Sequence, residues 1–328
     1  MSNRNTLKVL TWHIHGSYLY YLTQTPCTFY LPWKDSKEEG YGARTPNFPW
    51  GTNVISVPAE EVKDLEFDCI LFQSKKNYLQ DQFEILSVKQ RALPKLYLEH
   101  DPPRESPIET QHVVDDPDTL LVHVTHFNNL MWNNNRTPST VVEHGVIDPG
   151  NLYTGEINKG IVVINGIVKR GRRLGLDVFL QVREEVPLDI VGMGSEEVGG
   201  LGEINIKELP HFISKYRFFF NPIRYTSLGL SVCEAMMAGL PMVGLSTTEM
   251  PITVKNGFSG YISTDVNLLI EKMKRLINDP SHAKTLSEGA RATALKKFNI
   301  ERFKKDWLKA FQMAMKKSPV EQQKIEAL

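Results

Sequence analysis

Residues 221–263 read NPIRYTSLGLSVCEAMMAGLPMVGLSTTEMPITVKNGFSGYIS, and several side chains at this spacing suit the binding of phosphate and diol groups. An apolar run ends at Asn221, and a loop with Ser227 and Gly229 leads into a helix over residues 230–238. The first turn of such a helix presents unpaired N–H groups and a partial positive charge, so it holds a phosphate without a basic side chain. Gly229 lets a ligand come close to the backbone. Glu234 sits about one turn into the helix, where a carboxylate can accept hydrogen bonds from both hydroxyls of a ribose. The same residue is also an ordinary favourable acid near a helix start.

A second candidate is INGIVKRGRRLG at 164–175, where an apolar run ends at Asn165 and the loop carries Lys169, Arg170, Arg172 and Arg173. Cations at the carboxyl end of a parallel strand lie where open α/β sheets bind ligands, and arginine grips phosphate with two parallel bonds. A solvated charge run is the competing reading. Position after a strand favours a functional role, with Arg170, Arg172 and Arg173 preferred. Seven of the nine histidines fall in the first half, at 13, 15, 100, 112, 123, 126 and 144. The pairs His13/His15 and His123/His126 have ligand-like spacing, but such pairs most often pack or hydrogen-bond, and no metal site is expected. Asp116-Pro117-Asp118 reads as a surface turn.

The 221–263 segment resembles the family-4 retaining glycosyltransferases of the GT-B fold, the "glycosyl transferases group 1". Gly229-Leu230, Glu234-Ala235-Met236 and Gly239-Leu240-Pro241-Met242-Val243 fall in register with that family's signature, and Asn256-Gly257, Gly260 and Tyr261 continue it. Residues 142–146, VEHGV, look like the family's interdomain Asn-Gly-Val. The resemblance implies a nucleotide-sugar donor, carrying UDP or GDP, held by Gly16, Arg170, Arg172, Arg173, Gly194, Thr226, Ser227, Leu228, Gly229, Leu230 and Glu234. It implies catalytic parts for Glu234 on the donor ribose, Arg173 on the diphosphate and His100 on the transferred sugar. It further implies retention of stereochemistry, no metal and no other cofactor. Gly194 enters through Gly192-Met193-Gly194, which is similar to the family's Val-Gly-x-Gly turn. Three positions depart: Thr226 stands where the family has the first glutamate of its pair, Leu228 where it has an aromatic, and 248–252 (TEMPI) where it has Gly-Gly-x-Pro-Glu. Two alternatives stay open. One, motivated by Thr226, is a non-catalytic nucleotide-sugar-binding or scaffold protein. The other is a different GT-B enzyme, such as a nucleotide-sugar epimerase, although no carboxylate or histidine set for proton abstraction stands out.

The elements that must position these residues alternate strand with helix, which implies parallel sheets with crossover connections. Strands are expected at 7–12, 53–57, 67–72, 96–98, 119–124 and 139–142, and in a second series at 160–165, 188–192, 218–221, 241–245 and 260–262. Helices are expected at 17–23, 80–89, 173–186, 206–216 and 230–238, with further helices through 266–317. Residues 26–50, dense in proline, glycine and aromatics, read as an irregular loop. The resulting fold class is α/β: two Rossmann-like α/β/α domains facing across a cleft. They are an acceptor-side domain at 1–150 and a donor-binding domain at 151–300, with a helix and tail at 301–328 returning toward the first.

Composition sets the remaining bounds. The chain has 328 residues, 41% hydrophobic and 23% charged, with 38 basic and 38 acidic side chains. The balance argues against nucleic acid as a partner. The first 150 residues hold 13 Lys and Arg against 19 Asp and Glu, leaving 25 against 19 for the rest, which suits a phosphorylated ligand on the second half or reflects only the lysine-rich tail around Lys296–Lys317. Three scattered cysteines fit a reducing compartment. With no signal-like segment and no apolar run near 18 residues, a cytoplasmic location is expected, with contact at the inner membrane face left open. The expected acceptor is a hydroxyl of a glycan, lipid-linked or small-molecule compound.

Overall fold

In the computed structural model, which describes residues 6–317, the chain divides into two units. One comprises the chain up to Glu143 together with the helix that starts at Ile300; the other is His144–Asn299. The division falls before the expected boundary at 150. Val146 N–H donates to the Phe298 carbonyl at 3.0 Å, and Arg291 grips Asp148 at 2.6 and 2.8 Å, so 144–150 belong with the second unit. The last part of the expected 301–328 element, 318–328, lies outside the described residues.

The first unit is built on seven parallel strands: β1 (Lys8–Thr11), β2 (Thr28–Trp33), β3 (Val54–Pro58), β4 (Cys69–Phe72), β5 (Lys95–Glu99), β6 (Thr119–His123) and β7 (Ser139–Val141). Their order is β3-β2-β1-β4-β5-β6-β7, so the sheet reverses direction between β1 and β4. Strands β4 and β6 are buried throughout, as parallel strands covered on both faces must be. The helix Ile300–Lys317 packs in this unit. Its Phe303, Trp307 and Phe311 are fully buried, and Trp307 Nε1 donates to the Tyr18 hydroxyl at 3.2 Å. Burying each such ring stabilises by about 1.5–3 kcal/mol.

The second unit has five parallel strands: β8 (Ile157–Val163), β9 (Leu188–Val191), β10 (Tyr216–Asn221), β11 (Met242–Leu245) and β12 (Gly260–Ser263). Their order is β12-β11-β10-β8-β9, which places the reversal between β8 and β10. The helix Leu230–Ala238 buries Val232, Cys233, Ala235, Met236, Met237 and Ala238. It stops at Gly239, where φ is +95°. There Gly239 N–H bonds the Met236 carbonyl and Leu240 N–H the Ala235 carbonyl, the paired bonds of a glycine-terminated helix.

Four expectations change. Residues 26–50 are not all loop, because they contain β2. Pro32 disguised that strand. It is tolerated because β2 pairs with β1 only as far as Tyr30, so at Pro32 the strand is an edge bonded to β3 alone. The helix expected at 80–89 is broken into a wide turn at Asn77–Asp81 and short helices Gln82–Ile85 and Val88–Arg91. The helix expected at 173–186 spans Leu176–Arg183, because the left-handed Gly175 (φ +78°) separates it from a tight turn at Gly171–Leu174. The one expected at 206–216 is reduced to Leu209–Ile213.

Candidate functional site

In the second unit, loops leaving the carboxyl ends of β8, β9 and β10 are bonded to one another beside the strand reversal, where doubly wound sheets bind ligands. Asn165, two residues beyond β8, receives Met193 N–H on its side-chain oxygen at 2.9 Å, and Gly166 N–H donates to the Met193 carbonyl at 2.7 Å. The β10 loop is tied to the basic loop through one atom: the Arg173 carbonyl accepts from Arg224 N–H at 3.1 Å and Tyr225 N–H at 3.2 Å. Gly175 packs so tightly on this loop that a Cβ there would lie 1.9 Å from the Pro222 oxygen.

Side chains then fix the loops. Asp177 takes Arg224 at 2.9 Å and Arg172 at 2.5 Å, and Arg224 also reaches the Arg172 carbonyl at 2.9 Å. The hydrogen bond from Arg224, ahead of smaller electrostatic contributions, holds the Asp177 carboxyl below its usual range. Residues 223–228 are pinned at three carbonyls. Thr247 donates to Ile223 at 2.9 Å, Thr248 to Ser227 at 3.3 Å and His144 Nε2 to Leu228 at 2.7 Å. A carbonyl only accepts, so His144 carries its proton on Nε2.

This arrangement delivers the Leu230–Ala238 helix. Its N-cap, Gly229, is extended and offers no capping side chain, and Ser231 Oγ donates to the Val163 carbonyl at the end of β8 at 3.2 Å. The first turn thus stands beside the basic loop, and its N-cap residue supplies no side chain to cover its N–H groups. Ser227 and Leu228 are buried; Thr226, Gly229, Leu230 and Glu234 are half-buried.

Of the sequence-derived residues, Arg170, Arg172, Arg173, Gly194, Thr226, Ser227, Leu228, Gly229, Leu230 and Glu234 all belong to this second-unit cluster. Their postures differ. Arg170 turns its guanidinium back to the Asn165 carbonyl, and Arg172 is 76% exposed and bonded to Asp177. Arg173 is half-buried. Gly194, at φ +72°, shapes the turn after β9.

Gly16 and His100 lie in the first unit, also at strand ends. His100 follows β5; its Nε2 is 3.2 Å from Gln73 Oε1, and its ring centroid is 3.9 Å from that of His15. Gln73 spends its amide N–H groups on Thr11 Oγ1 at 2.9 Å and the Trp12 carbonyl at 2.8 Å, so its oxygen is the end that faces His100. His100 Nε2 therefore donates. His15 keeps an exposed surface, yet crowding of its ring by neighbouring atoms lowers its pKa against the opposing pull of Asp101 and Glu99. His123 and His126 do not converge: His123 is buried and bonded to Asn134, and His126 is exposed at a helix start. Among the described residues, no group of three or more His, Cys, Asp or Glu is placed to hold a metal. None of the described helices is long and apolar enough to cross a membrane.

Residues 161–279 match the family model Glycosyl transferases group 1. All ten second-unit candidates fall within the Glycosyl transferases group 1 match. No curated protein matches the chain in sequence. Among solved structures, the chain resembles a sucrose-phosphate synthase from Thermosynechococcus elongatus, with a TM-score of 0.68 and 13% identity over 94% of this chain and 98% of that one. It equally resembles Anabaena HepE in complex with UDP-glucose, with a TM-score of 0.68 and 13% identity over 94% of this chain and 100% of the other. A glycosyltransferase from Rickettsia africae follows at 0.61, 13%, 95% and 99%. These likenesses establish an α/β fold with two parallel sheets, shared with GT-B glycosyltransferases.

Sequence reasoning missed Gln73, Asp177, Asn165 and the locking role of Arg224. Position held the available signal: Gln73 directly follows the buried β4 run, and Asn165 closely follows β8, where strand ends meet ligands.

Proposed function

We propose that the chain is a glycosyltransferase that binds a nucleoside-diphosphate sugar on the second unit and transfers the sugar, with retention and without a metal, to a hydroxyl acceptor. One observation carries the reading. At the strand reversal, the Arg173 carbonyl bonds the β10 loop, so a basic loop and an uncapped helix start bearing Glu234 are held together. The match to Glycosyl transferases group 1 spans the same residues. UDP is the favoured nucleotide, because HepE carries UDP-glucose in its complex.

The chemistry asked of these groups is modest. The bond from the anomeric carbon to the donor phosphate breaks, the acceptor oxygen bonds that carbon, and the acceptor proton passes to a departing phosphate oxygen. Arg173 and the helix N–H groups stabilise the diphosphate as its negative charge develops. Glu234 holds the ribose hydroxyls. His100, turned by Gln73, contacts the transferred sugar.

Calorimetric titration with UDP, GDP, dTDP, ADP and CMP, without divalent metal, tests the donor site. One nucleotide should bind in the micromolar range, and Glu234→Ala and Arg173→Ala should each weaken it by about tenfold or more, on the order of 1.4 kcal/mol. Failure of all five nucleotides to bind removes the reading. Binding without transfer or hydrolysis of the matching nucleotide sugar would leave a non-catalytic sugar-nucleotide receptor. Proton NMR of the product's anomeric signal reads retention.

A further inference from the structure

Two side chains from distant parts of the second unit close on consecutive peptides of the loop after β10. His144, the first residue of that unit, donates through Nε2 to the Leu228 carbonyl at 2.7 Å. Thr248, in the loop after β11, donates through Oγ1 to the Ser227 carbonyl at 3.3 Å. Both holders are themselves fixed. His144 is 4% exposed, and close by in the chain Val146 N–H donates to the Phe298 carbonyl at 3.0 Å. Thr248 sits in a turn closed by Met250 N–H on the Thr247 carbonyl at 3.0 Å, and Thr247 Oγ1 bonds the Ile223 carbonyl at 2.9 Å.

Thr248 holds its place against its own backbone preference. Its φ is +50°, in the left-handed region that a β-branched residue enters only under constraint. Glycine would fit there without strain. What threonine adds is a hydroxyl, and the hydroxyl is used on Ser227. Strained residues of this kind persist where their surroundings fix them, and they gather at ligand clamps.

A trans peptide is planar, so its carbonyl and the N–H that follows point in opposite directions. A donor fixed on the Ser227 carbonyl therefore sets the direction of the Leu228 N–H, and one on the Leu228 carbonyl sets that of the Gly229 N–H. Among the described residues, neither N–H donates to a protein group. Beside Gly229 the space is open: a Cβ there would meet nothing nearer than Ser231 Oγ at 3.5 Å, and its φ of −64° suits any residue. Neither backbone nor packing calls for glycine at 229, and the missing side chain leaves room for a ligand at the N–H.

We infer that His144 and Thr248 are positioning residues for the donor diphosphate, turning the Leu228–Gly229 and Ser227–Leu228 peptides so that their N–H groups face its phosphate oxygens. The inference rests on the reading of this loop as the donor site. Without these two bonds either peptide can rotate, and its N–H loses its aim. Glu234 keeps its own aim, because it stands further along a helix packed on the core. The two residues therefore act on the phosphates and not on the nucleoside.

Calorimetric titration of UDP and NMR titration of uridine on the full chain separate the two parts of the ligand, with the matching pair used should another diphosphate be the one that binds. His144→Leu and Thr248→Gly should each weaken the diphosphate by about tenfold and leave the nucleoside within about twofold. His144→Gln, which keeps an N–H donor at similar reach, and Thr248→Ser, which keeps the hydroxyl, should restore most of the affinity. Thr248→Gly should also hold the melting temperature within about 2 °C, because relief of the left-handed strain offsets the lost bond. A role in stability alone would lower the melting temperature and leave UDP affinity untouched. The Thr248 variants decide the question if His144→Leu does not fold. Diphosphate affinity unchanged in the folded variants, or diphosphate and nucleoside weakened alike, overturns the inference and leaves the donor reading standing. A wild-type chain that binds no nucleoside diphosphate overturns both.

Discussion

Asp177 sets the posture of the basic loop, since Arg172 and Arg224 both close on its carboxylate. Its depressed pKa means that the contribution is present above the ordinary aspartate value of 3.8 and is lost as pH falls through the lowered one. Solvent screening keeps it to about 1 kcal/mol at most, so the cluster positions the loop more than it stabilises the unit. Gly175 matters more. Any side chain there must leave a left-handed backbone or strike the Pro222 oxygen. Gly175→Ala should lower the melting temperature by roughly 4–12 °C, from a loss of about 2–3 kcal/mol, and should abolish UDP binding by parting the β8 and β10 loops. An unchanged melting curve with normal UDP affinity would show that the loops are not coupled there.

At the scale of elements, β6 ends on a buried histidine. Burial pushes the His123 pKa down to about 4 from 6.5, against the opposing effect of the hydrogen bond that its Nε2 donates to the Asn134 side-chain oxygen. The folded state therefore resists a proton that the unfolded chain accepts. Stability of the first unit should be full above pH 6.5, decline as pH falls, and level off below about 4, with a total loss on the order of 3 kcal/mol. Urea melts between pH 7 and 4 should show this slope, and His123→Gln should flatten it. The strands of the second unit were legible as apolar runs, and the Leu230–Ala238 helix was legible because Gly239 ends it. In contrast, β2 was hidden by Pro32, whose tolerance depends on how far β1 extends beside it, a fact of pairing rather than of local sequence. For the same reason Arg172 was legible as a cation in the right loop, but its capture by Asp177 was not, because that depends on where Gly175 ends one turn and begins the next helix.

For the whole molecule, the deciding feature is that the first unit is discontinuous in the chain while the second, His144–Asn299, is not. Each unit owns a core, and the aromatic seam of Ile300–Lys317 belongs to the first. Trp307→Ala should cost that unit about 3–5 kcal/mol, seen as an early transition in calorimetry. The later transition and UDP binding should be preserved. A fragment spanning 144–299 should fold alone and bind UDP. An unfolded fragment would show that the second unit's core depends on the first.

Discontinuity also orders events at the ribosome. The strands up to β7 emerge first, yet Tyr18 waits for Trp307, which arrives only after His144–Asn299 has been made. At about 5–20 residues per second that interval is on the order of ten to thirty seconds. The usual amino-to-carboxyl sequence of domain completion is thereby inverted. The second unit closes its core while the earlier half still displays an uncovered sheet face, and that half is the natural client for chaperones during synthesis.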